Sequence, residues 1–388
     1  MQRGRWCCCL SAGKHAMADC RGRLYRCSDI FDHRATDSLF LGAVRENVRF
    51  HQKYNPVYRR MLKAEGFSAN SLERIEDLHR IPPIPTAFFK RHTLWTMDPG
   101  CLAVRATSSG TGGLVSRIGL EWAALARGAA MAARLGKVRG LFSPVPVNYI
   151  VLGYEPHREN QTAISKTQRA SLLYAPPLQV KYALKRGSGG YRPDFPGVKR
   201  ALERYAGQKV PVRLVGFPAY LYFLLLELKR EGLRFRFPAG SMVLLGGGWK
   251  QFYREQPEKE AVYRLLEEVL GIGEESCREF YGAVEHPSMY CDCGRHHFHV
   301  PVYSRVIIRD VDTLQPLGFG QPGLVNLITP IADSMPLVSV MTDDLGILYP
   351  GESCGCGNQA PYFEILGRVG LSEIRTCAAG AAQILEGG

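Results

Sequence analysis

The middle of the chain alternates strand-like and helix-like segments, and this alternation limits the possible folds more than any other feature. Apolar runs and amphipathic segments follow one another as VNYIVLGYEP, GVKRALERYAG, VPVRLVGF, PAYLYFLLLELKREG, SMVLLGGG, PEKEAVYRLLEEVLGIG and SCREFYG. Strands that alternate with helices build a largely parallel sheet covered by helices. From His299 onwards the sequence becomes strand-rich. The sequence therefore predicts an α/β fold, with β-sheets sandwiched by helices and a β-rich extension.

Composition narrows the class of protein. The 388 residues are 46% hydrophobic and 22% charged, which is typical of a soluble globular protein. No apolar run reaches the ~20 residues that span a bilayer. The net charge of +13 fits an anionic substrate or partner, because Lys and Arg are spread along the chain and no nucleic-acid-binding motif is present. We expect a cytoplasmic protein with no membrane span and no nucleic-acid partner.

Three segments are predicted along the chain. Residues 1–28 are interpreted as a poorly ordered or over-long start, with Met17 the more natural first residue, because the apolar stretch near Trp6 is too short and too cysteine-rich for a signal peptide. Residues 29–370 are expected to form one large catalytic domain. Residues 371–388 are expected to form a short tail.

A run of small residues precedes the alternating region. Its hydroxyls and flexible backbone suit the wrapping of a polyphosphate, because glycines let backbone N–H groups approach phosphate oxygens. A surface linker is the alternative. The run has no Gly-Lys-Ser/Thr ending, so the chemistry of ordinary P-loop NTPases is not expected. The candidate phosphate-binding residues are Ser108, Ser109, Gly110, Thr111 and Gly112.

Polar or glycine-rich clusters follow three of the predicted strands. In open α/β sheets, ligands bind beyond the carboxyl ends of the strands. These clusters therefore predict a binding site at one edge of the sheet, and they comprise Gly246, Gly247 and Gly248, then Tyr281 and Gly282, and then Thr342, Asp343 and Asp344.

The later cysteines indicate a metal site. In a reducing cytosol, paired cysteines are more typical of metal binding than of disulfides. The segments CDCGRHHFH and CGCG offer Cys-x-Cys pairs and histidines that fit tetrahedral Zn²⁺. The favoured ligands are Cys291 or Cys293, with His299, Cys354 and Cys356. Ligation by four cysteines and unligated thiols are the alternatives. A closed site of four ligands would be structural.

Five motifs follow one another in a characteristic order. They are SSGTGG, LLGGGWK, FYGAVEH, TDDLG and ILGRVG. In this order they resemble the adenylate-forming superfamily, whose members activate carboxylic acids as acyl-AMP with ATP and Mg²⁺. With IPPIPTAFFK, the Cys-x-Cys segments and a cysteine near the C-terminus, the chain is most similar to the LuxE-like acyl-protein synthetase family. The resemblance runs from about Ile81 to the C-terminus.

The resemblance implies a role for each motif. The glycine-rich loop would hold the departing pyrophosphate, and the Gly246–Gly248 segment would lie along adenine and the acyl group. Asp344 would bind the ribose hydroxyls, with Asp343 as the close competitor. The remaining roles are adenine stacking by Tyr281, Mg²⁺ ligation by Glu285, added positive charge from Arg117, and contact with ribose and phosphate by Arg368.

The resemblance also implies how the reaction ends. The lid domain that carries a catalytic lysine is expected to be truncated or absent, so Lys250 or a partner residue would replace that lysine. Cys377 would receive the acyl group and pass it to an acyl-reductase partner. The predicted function is ATP-dependent activation of a long-chain fatty acid and acyl transfer to a protein thiol. The alternatives are a CoA ligase similar to phenylacetate-CoA ligases and a zinc-stabilised scaffold without activity.

Overall fold

The computed structural model describes residues 19–108, 114–187, 190–249, 252 and 256–368. Within these ranges the helices are α1 Cys20–Leu24, α2 His33–Tyr54, α3 Pro56–Ala64, α4 Thr86–Arg91, α5 Trp122–Val138, α6 Ala163–Ser171, α7 Phe195–Ala206, α8 Pro218–Arg230 and α9 Lys259–Leu270. Short 3-10 helices occupy Ala69–Ser71, Ile75–Arg80, Pro99–Cys101, Leu172–Tyr174, Glu274–Ser276 and Gly351–Cys354.

The strands in the same ranges follow in chain order. They are β1 Ile84–Pro85, β2 Leu102–Thr107, β3 Arg117–Glu121, β4 Val147–Tyr154, β5 Pro177–Gly187, β6 Gly190–Pro193, β7 Val212–Gly216, β8 Met242–Gly246, β9 Cys277–Ala283, β10 His286–Cys291, β11 Phe298–His299, β12 Arg305–Arg309, β13 Pro322–Ile328, β14 Ser339–Tyr349 and β15 Tyr362–Arg368.

A seven-stranded sheet forms the centre of the described structure, in the order β10-β9-β8-β7-β4-β5-β6. The strands β5, β4, β7, β8 and β9 run parallel, and the edge strands β6 and β10 are antiparallel to their neighbours. Successive residues of β4 enter opposite cores: Tyr149 and Val151 pack in one, Ile150 and Leu152 in the other. Both faces of this sheet are therefore covered, which confirms the predicted α/β class.

The strand-rich region after residue 299 forms a second sheet. Its antiparallel strands follow the order β11-β15-β14-β13-β12, and β1 adds to β14 in parallel. A core of its own lies against this sheet, with Val306, Ile308, Val325, Leu327 and Phe363 all buried. The predicted β-rich extension is confirmed. Separately, β2 and β3 form a two-stranded sheet on either side of the glycine-rich loop.

The start of the described chain packs into the domain. Leu24 of α1 is completely buried, and the Arg21 guanidinium contacts both carboxylate oxygens of Asp333, at 2.6 and 2.9 Å. Asp19 caps α1 by accepting from the backbone N–H of Gly22. The sequence placed residues 1–28 outside the folded domain, whereas the part from Asp19 onwards is anchored to it. Residues 1–18 lie outside the described ranges.

No helix in the described part of the chain is long and apolar enough to cross a membrane.

Candidate active site and metal cluster

The end of β9 faces β14 and β15 of the second sheet, and charged side chains meet there. The Tyr281 hydroxyl donates to Asp344 Oδ2 over 2.8 Å. Arg368, the last residue of β15, places its Nε 3.5 Å from Asp344 Oδ1. Three of the predicted site residues therefore lie together, although they are far apart in sequence.

Aromatic packing fixes the ring of Tyr281. The ring centroids of Phe363 and Phe298 lie 5.4 and 5.9 Å from its own, and that of Tyr290 lies at 6.0 Å. Burial, followed by the charge of Asp344, raises the pKa of the Tyr281 phenol well above its ordinary value. Tyr281 therefore stays protonated and donates to Asp344 throughout the physiological pH range.

Asp343 is more deeply buried than Asp344, although Arg368 Nη2 also lies 3.8 Å from its Oδ2. Its carboxylate is buried and accepts from Thr86 Oγ1 over 2.9 Å, and the Lys90 ammonium lies 3.4 Å away. Both partners come from the IPPIPTAFFK segment, because β1 pairs with β14 through Ile84 and Val340 and so places α4 beside Asp343. Alternate residues of a strand point to opposite faces, which explains why the neighbouring aspartates differ.

Glu285 lies in the turn after β9 and is only 4% exposed. Burial raises the pKa of its carboxyl group, while the Ser116 hydroxyl and the Lys90 ammonium act in the opposite direction. Ser116 is itself buried, and its backbone N–H donates to Ser108 Oγ over 3.0 Å. The residues that flank the glycine-rich loop are thereby joined to each other next to Glu285.

Sequence reasoning assigned no role to Lys90 or Thr86. Both lie in IPPIPTAFFK, a segment that was used only for the family resemblance. Arg117 is exposed at the first position of β3. Ser109, Gly110, Thr111, Gly112 and Lys250 lie outside the described residues, as does Cys377.

The glycines after β8 leave room at the carboxyl end of the sheet. Gly247 has φ +88°, and a Cβ there would lie 2.9 Å from both Ile164 Cδ1 and Phe217 Cε1. Gly248 has φ +66°, again in the left-handed region. Gly246 ends β8, and Gly282 is exposed on β9. Only glycine fits at position 247 without displacing the apolar side chains on that side.

A cluster of thiols and one imidazole lies at the other end of β15. The ligand atoms of Cys293, His299, Cys354 and Cys356 all lie within 4.8 Å of one another. His299 Nε2 is 3.2 Å from Cys354 Sγ and 3.1 Å from Cys356 Sγ, and the sulfurs of Cys293 and Cys354 are 3.6 Å apart. We call these four residues the Cys–His cluster.

The Cys–His cluster fits a tetrahedral zinc ion. Tetrahedral Zn–S and Zn–N bonds place neighbouring ligand atoms about 3.5–3.8 Å apart, close to the observed separations. His299 Nδ1 donates to the Ala360 carbonyl over 2.7 Å, which leaves Nε2 as the ligating nitrogen. The Arg295 backbone N–H donates to Cys293 Sγ over 3.3 Å. The four residues therefore could hold a metal ion, and their donor set is one that tetrahedral Zn²⁺ accepts.

Cys291 does not belong to this cluster. It ends β10 and is fully buried in the large hydrophobic core, and burial raises the pKa of its thiol. Cys293 lies in the turn after β10, where its N–H donates to the His297 carbonyl. Of the two cysteines that the sequence offered as alternatives, the fold brings only Cys293 to His299, Cys354 and Cys356.

Comparison with known proteins gives the family. The model for the acyl-protein synthetase family, LuxE, matches residues 30–386. This chain belongs to the acyl-protein synthetase family. It is accordingly a ligase that forms an acyl-AMP and transfers the acyl group to a protein, as its sequence predicts.

Two curated relatives share the family. The long-chain-fatty-acid–luciferin-component ligase of Vibrio harveyi is 27% identical over 352 residues, which cover 88% of this chain and 86% of the relative. The ligase of the same name from Aliivibrio fischeri is 25% identical over 360 residues, with 88% of each chain covered.

Solved structures support the fold of the synthetase. An open conformation of 2-hydroxyisobutyryl-CoA ligase, in complex with 2-HIB-AMP and CoA, superposes with a TM-score of 0.65 at 17% identity, covering 88% of this chain and 76% of that one. The same ligase in the postadenylation state, in complex with R3-HIB-AMP, gives a TM-score of 0.64 at 15% identity, covering 92% and 72%. The predicted adenylate-forming core is confirmed.

Proposed function

We propose that the synthetase activates a long-chain fatty acid with ATP and Mg²⁺ and then carries the acyl group on Cys377. The observation that carries the proposal is the meeting of Tyr281, Asp344 and Arg368, three residues far apart in sequence. The long-chain acid is suggested by the name of the two curated relatives, which share about a quarter of its sequence.

The nucleotide would bind near the ends of β9 and β15 and the middle of β14. The Tyr281 ring, braced by Phe298 and Phe363, offers a surface for adenine. The Asp344 carboxylate can accept hydrogen bonds from both ribose hydroxyls. The Arg368 side chain is 59% exposed, so it is free to reach ribose or phosphate.

The surroundings of Glu285 fit a bound Mg²⁺ ion. Hard cations prefer carboxylate oxygens. Burial disfavours the charged form of Glu285, and a cation close to it would reverse that effect. When bound, Mg²⁺ neutralises negative charge on the phosphates. Ser108 and Ser116, at the base of the glycine-rich loop, lie on the same side as Glu285.

The reaction needs no proton transfer in its first half. A carboxylate oxygen of the acid attacks the α-phosphorus of ATP, a new O–P bond forms, and the bond to the β-phosphate breaks to release pyrophosphate. In the second half, the Cys377 thiolate attacks the acyl carbon, a thioester forms, and AMP leaves. Both steps bring anions together, so their barriers are largely electrostatic.

The apolar side chains beside Gly247 suit the acyl group. Ile164 and Phe217 crowd the position where a Cβ would stand, and Tyr154 and Tyr220 pack on Phe217. An acyl-reductase partner would then take the acyl group from Cys377.

Two further proposals concern the metal and the location. The Cys–His cluster would hold a structural zinc ion, and the protein would act in the cytoplasm.

A labelling experiment tests the proposal. With ATP, Mg²⁺ and a panel of labelled fatty acids, pyrophosphate exchange should occur and the label should remain on the denatured protein until neutral hydroxylamine removes it. Cys377→Ser should keep the exchange and lose the label, whereas Cys27→Ser should keep both. Consumption of coenzyme A without labelled protein would indicate a CoA ligase. No exchange with any acid would indicate a scaffold without activity.

A further inference from the structure

We propose that Lys90 is the cation that contacts the phosphates of ATP during adenylation, the task that a lid lysine would otherwise perform. The proposal rests on the adenylation proposed above. Lys90 is a catalytic residue that neither its sequence motif nor its family name assigns.

The position of Lys90 suits this task. Its side chain is 17% exposed, so the ammonium acts where screening by water is weak. It lies 3.4 Å from Asp343 and close enough to Glu285 to favour the charged form of that carboxylate. Lys90 is therefore a weakly screened cation beside Asp343, and its charge also acts on Glu285.

The charge of Lys90 acts on Glu285, the residue that would hold Mg²⁺. A phosphate bound at that ion would therefore lie in the field of the Lys90 ammonium. The other candidates are less favourable in the described structure, because Arg117 is exposed on β3 and the Arg368 side chain is 59% exposed.

Lys90 is not needed merely to hold Asp343. Thr86 already donates to that carboxylate over 2.9 Å, a normal hydrogen bond. The separation of 3.4 Å between Lys90 and Asp343 is longer than the usual range for an N–H···O bond. The ammonium can therefore leave Asp343 for a phosphate while Asp343 keeps its neighbour Thr86.

The chemical step keeps Lys90 protonated. The acid's carboxylate forms a bond to the α-phosphorus, the bond to the bridging oxygen breaks, and its electron pair leaves with pyrophosphate. The Lys90 ammonium balances the negative charge that grows on the β-phosphate, and no proton changes place.

Lys90→Met tests the proposal, with Arg91→Met as the matched control because Arg91 is the exposed next residue on α4. We expect Lys90→Met to lower pyrophosphate exchange on the order of 10²–10³-fold and Arg91→Met to leave it unchanged. By calorimetry, Lys90→Met should weaken Mg-pyrophosphate binding at least tenfold. It should leave the affinity for an acyl-sulfamoyl adenosine, which has no β-phosphate, within about threefold.

The opposite results overturn the proposal. If Lys90→Met loses affinity for the adenosine analogue as much as for pyrophosphate, Lys90 only positions Asp343 and Asp344. Unchanged exchange excludes a catalytic role. If Lys90→Met does not fold, Lys90→Gln and Lys90→Arg replace it: the proposal requires exchange to fall with Gln and to persist with Arg, and equal rates reject it. Absence of exchange in the unmodified protein would reject the adenylation proposal instead.

Discussion

The Cys–His cluster and the proposed nucleotide site are built in opposite ways. The four cluster residues come from two short segments, residues 293–299 and 354–356, and their ligand atoms already lie within 4.8 Å of one another. The nucleotide-site residues come from α4, β9, β14, β15 and the base of a loop, and Lys90 and Arg368 lie 3.4–3.8 Å from the aspartates. One site is closed and assembled, whereas the other is open and spread over both sheets.

The two sites also differ in how the negative charges of their side chains are balanced. In the cluster, the Arg295 N–H donates to Cys293 Sγ and the His299 Nδ1–H donates to the Ala360 carbonyl. A single dication would be bound by the three sulfurs and His299 Nε2. In the nucleotide site, the carboxylates of Glu285, Asp343 and Asp344 share two cations, Lys90 and Arg368. That balance leaves positive side chains able to move towards an anionic substrate, which the closed cluster does not permit.

The largest expected effect is at the cluster. Cys354→Ser should reduce zinc from close to one per chain and lower the free energy of unfolding by several kcal/mol, because structural zinc contributes folding energy. Elemental analysis and thermal unfolding measure both. Cys291→Ala is the control, since it should keep the zinc. Full zinc content and an unchanged Tm in Cys354→Ser would contradict the assignment of Cys354 as a zinc ligand.

The second-largest effect is expected from replacing Glu285. Glu285→Gln should lower Mg²⁺-dependent pyrophosphate exchange on the order of 10²–10³-fold, because a positioned charge near the phosphates is worth about 3–4 kcal/mol. Zinc content and the far-ultraviolet spectrum should not change. Unaltered exchange at saturating Mg²⁺ would show that Glu285 is not a ligand of the ion.

The paired aspartates give a smaller effect. Asp344→Asn should raise the Kd for ATP about tenfold or more, since a hydrogen bond to a charged group is worth about 1.5–3 kcal/mol. Asp343→Asn should change it less, because its carboxylate faces Thr86 and Lys90. Equal losses in both variants, measured by calorimetry, would reopen the choice between the two aspartates.

The smallest effect concerns pH and stability. Burial raises the folded-state pKa of Glu285, so its carboxyl group favours folding at low pH, and this contribution is lost as pH rises through the raised pKa. In Mg²⁺-free buffer, Glu285→Gln should therefore have a slightly higher Tm than the unmodified protein at neutral pH. This difference in Tm between the two proteins should disappear below about pH 4.5, the ordinary pKa of the carboxyl group. A gap that is independent of pH would contradict this assignment.

Much of the fold could be predicted because burial leaves a periodic pattern. The buried strands β4, β7 and β8 are apolar runs, and the sequence predicts each of them. The hairpin of β5 and β6 was missed, since its residues are mostly exposed or partly exposed and carry no apolar run. The anchoring of α1 was missed as well, because the pairing of Arg21 with Asp333 joins residues 312 apart in sequence.

The two sites also differ in how far the sequence predicts them. Two Cys-x-Cys motifs point to metal by themselves, and only the choice between Cys291 and Cys293 needed the fold. Lys90 could not be predicted, because a lone lysine on a short helix is usually a solvated side chain. Its contact with Asp343 depends on the parallel pairing of β1 and β14, and a strand of two residues gives no periodicity to detect.

The strand β15 runs from the Cys–His cluster to the proposed nucleotide site. Tyr362, at its start, stacks on His297 with ring centroids 4.3 Å apart, and His297 Nδ1 lies 3.1 Å from Cys354 Sγ. Arg368, at its end, is six residues further, a span of about 20 Å in an extended strand. The same strand therefore carries contacts of both sites, and its pairing with β14 has an irregularity between Ile365 and Gly367. Loss of the ion from the cluster would release the start of β15, and the affinity of Cys354→Ser for ATP measures how far that release reaches towards Arg368.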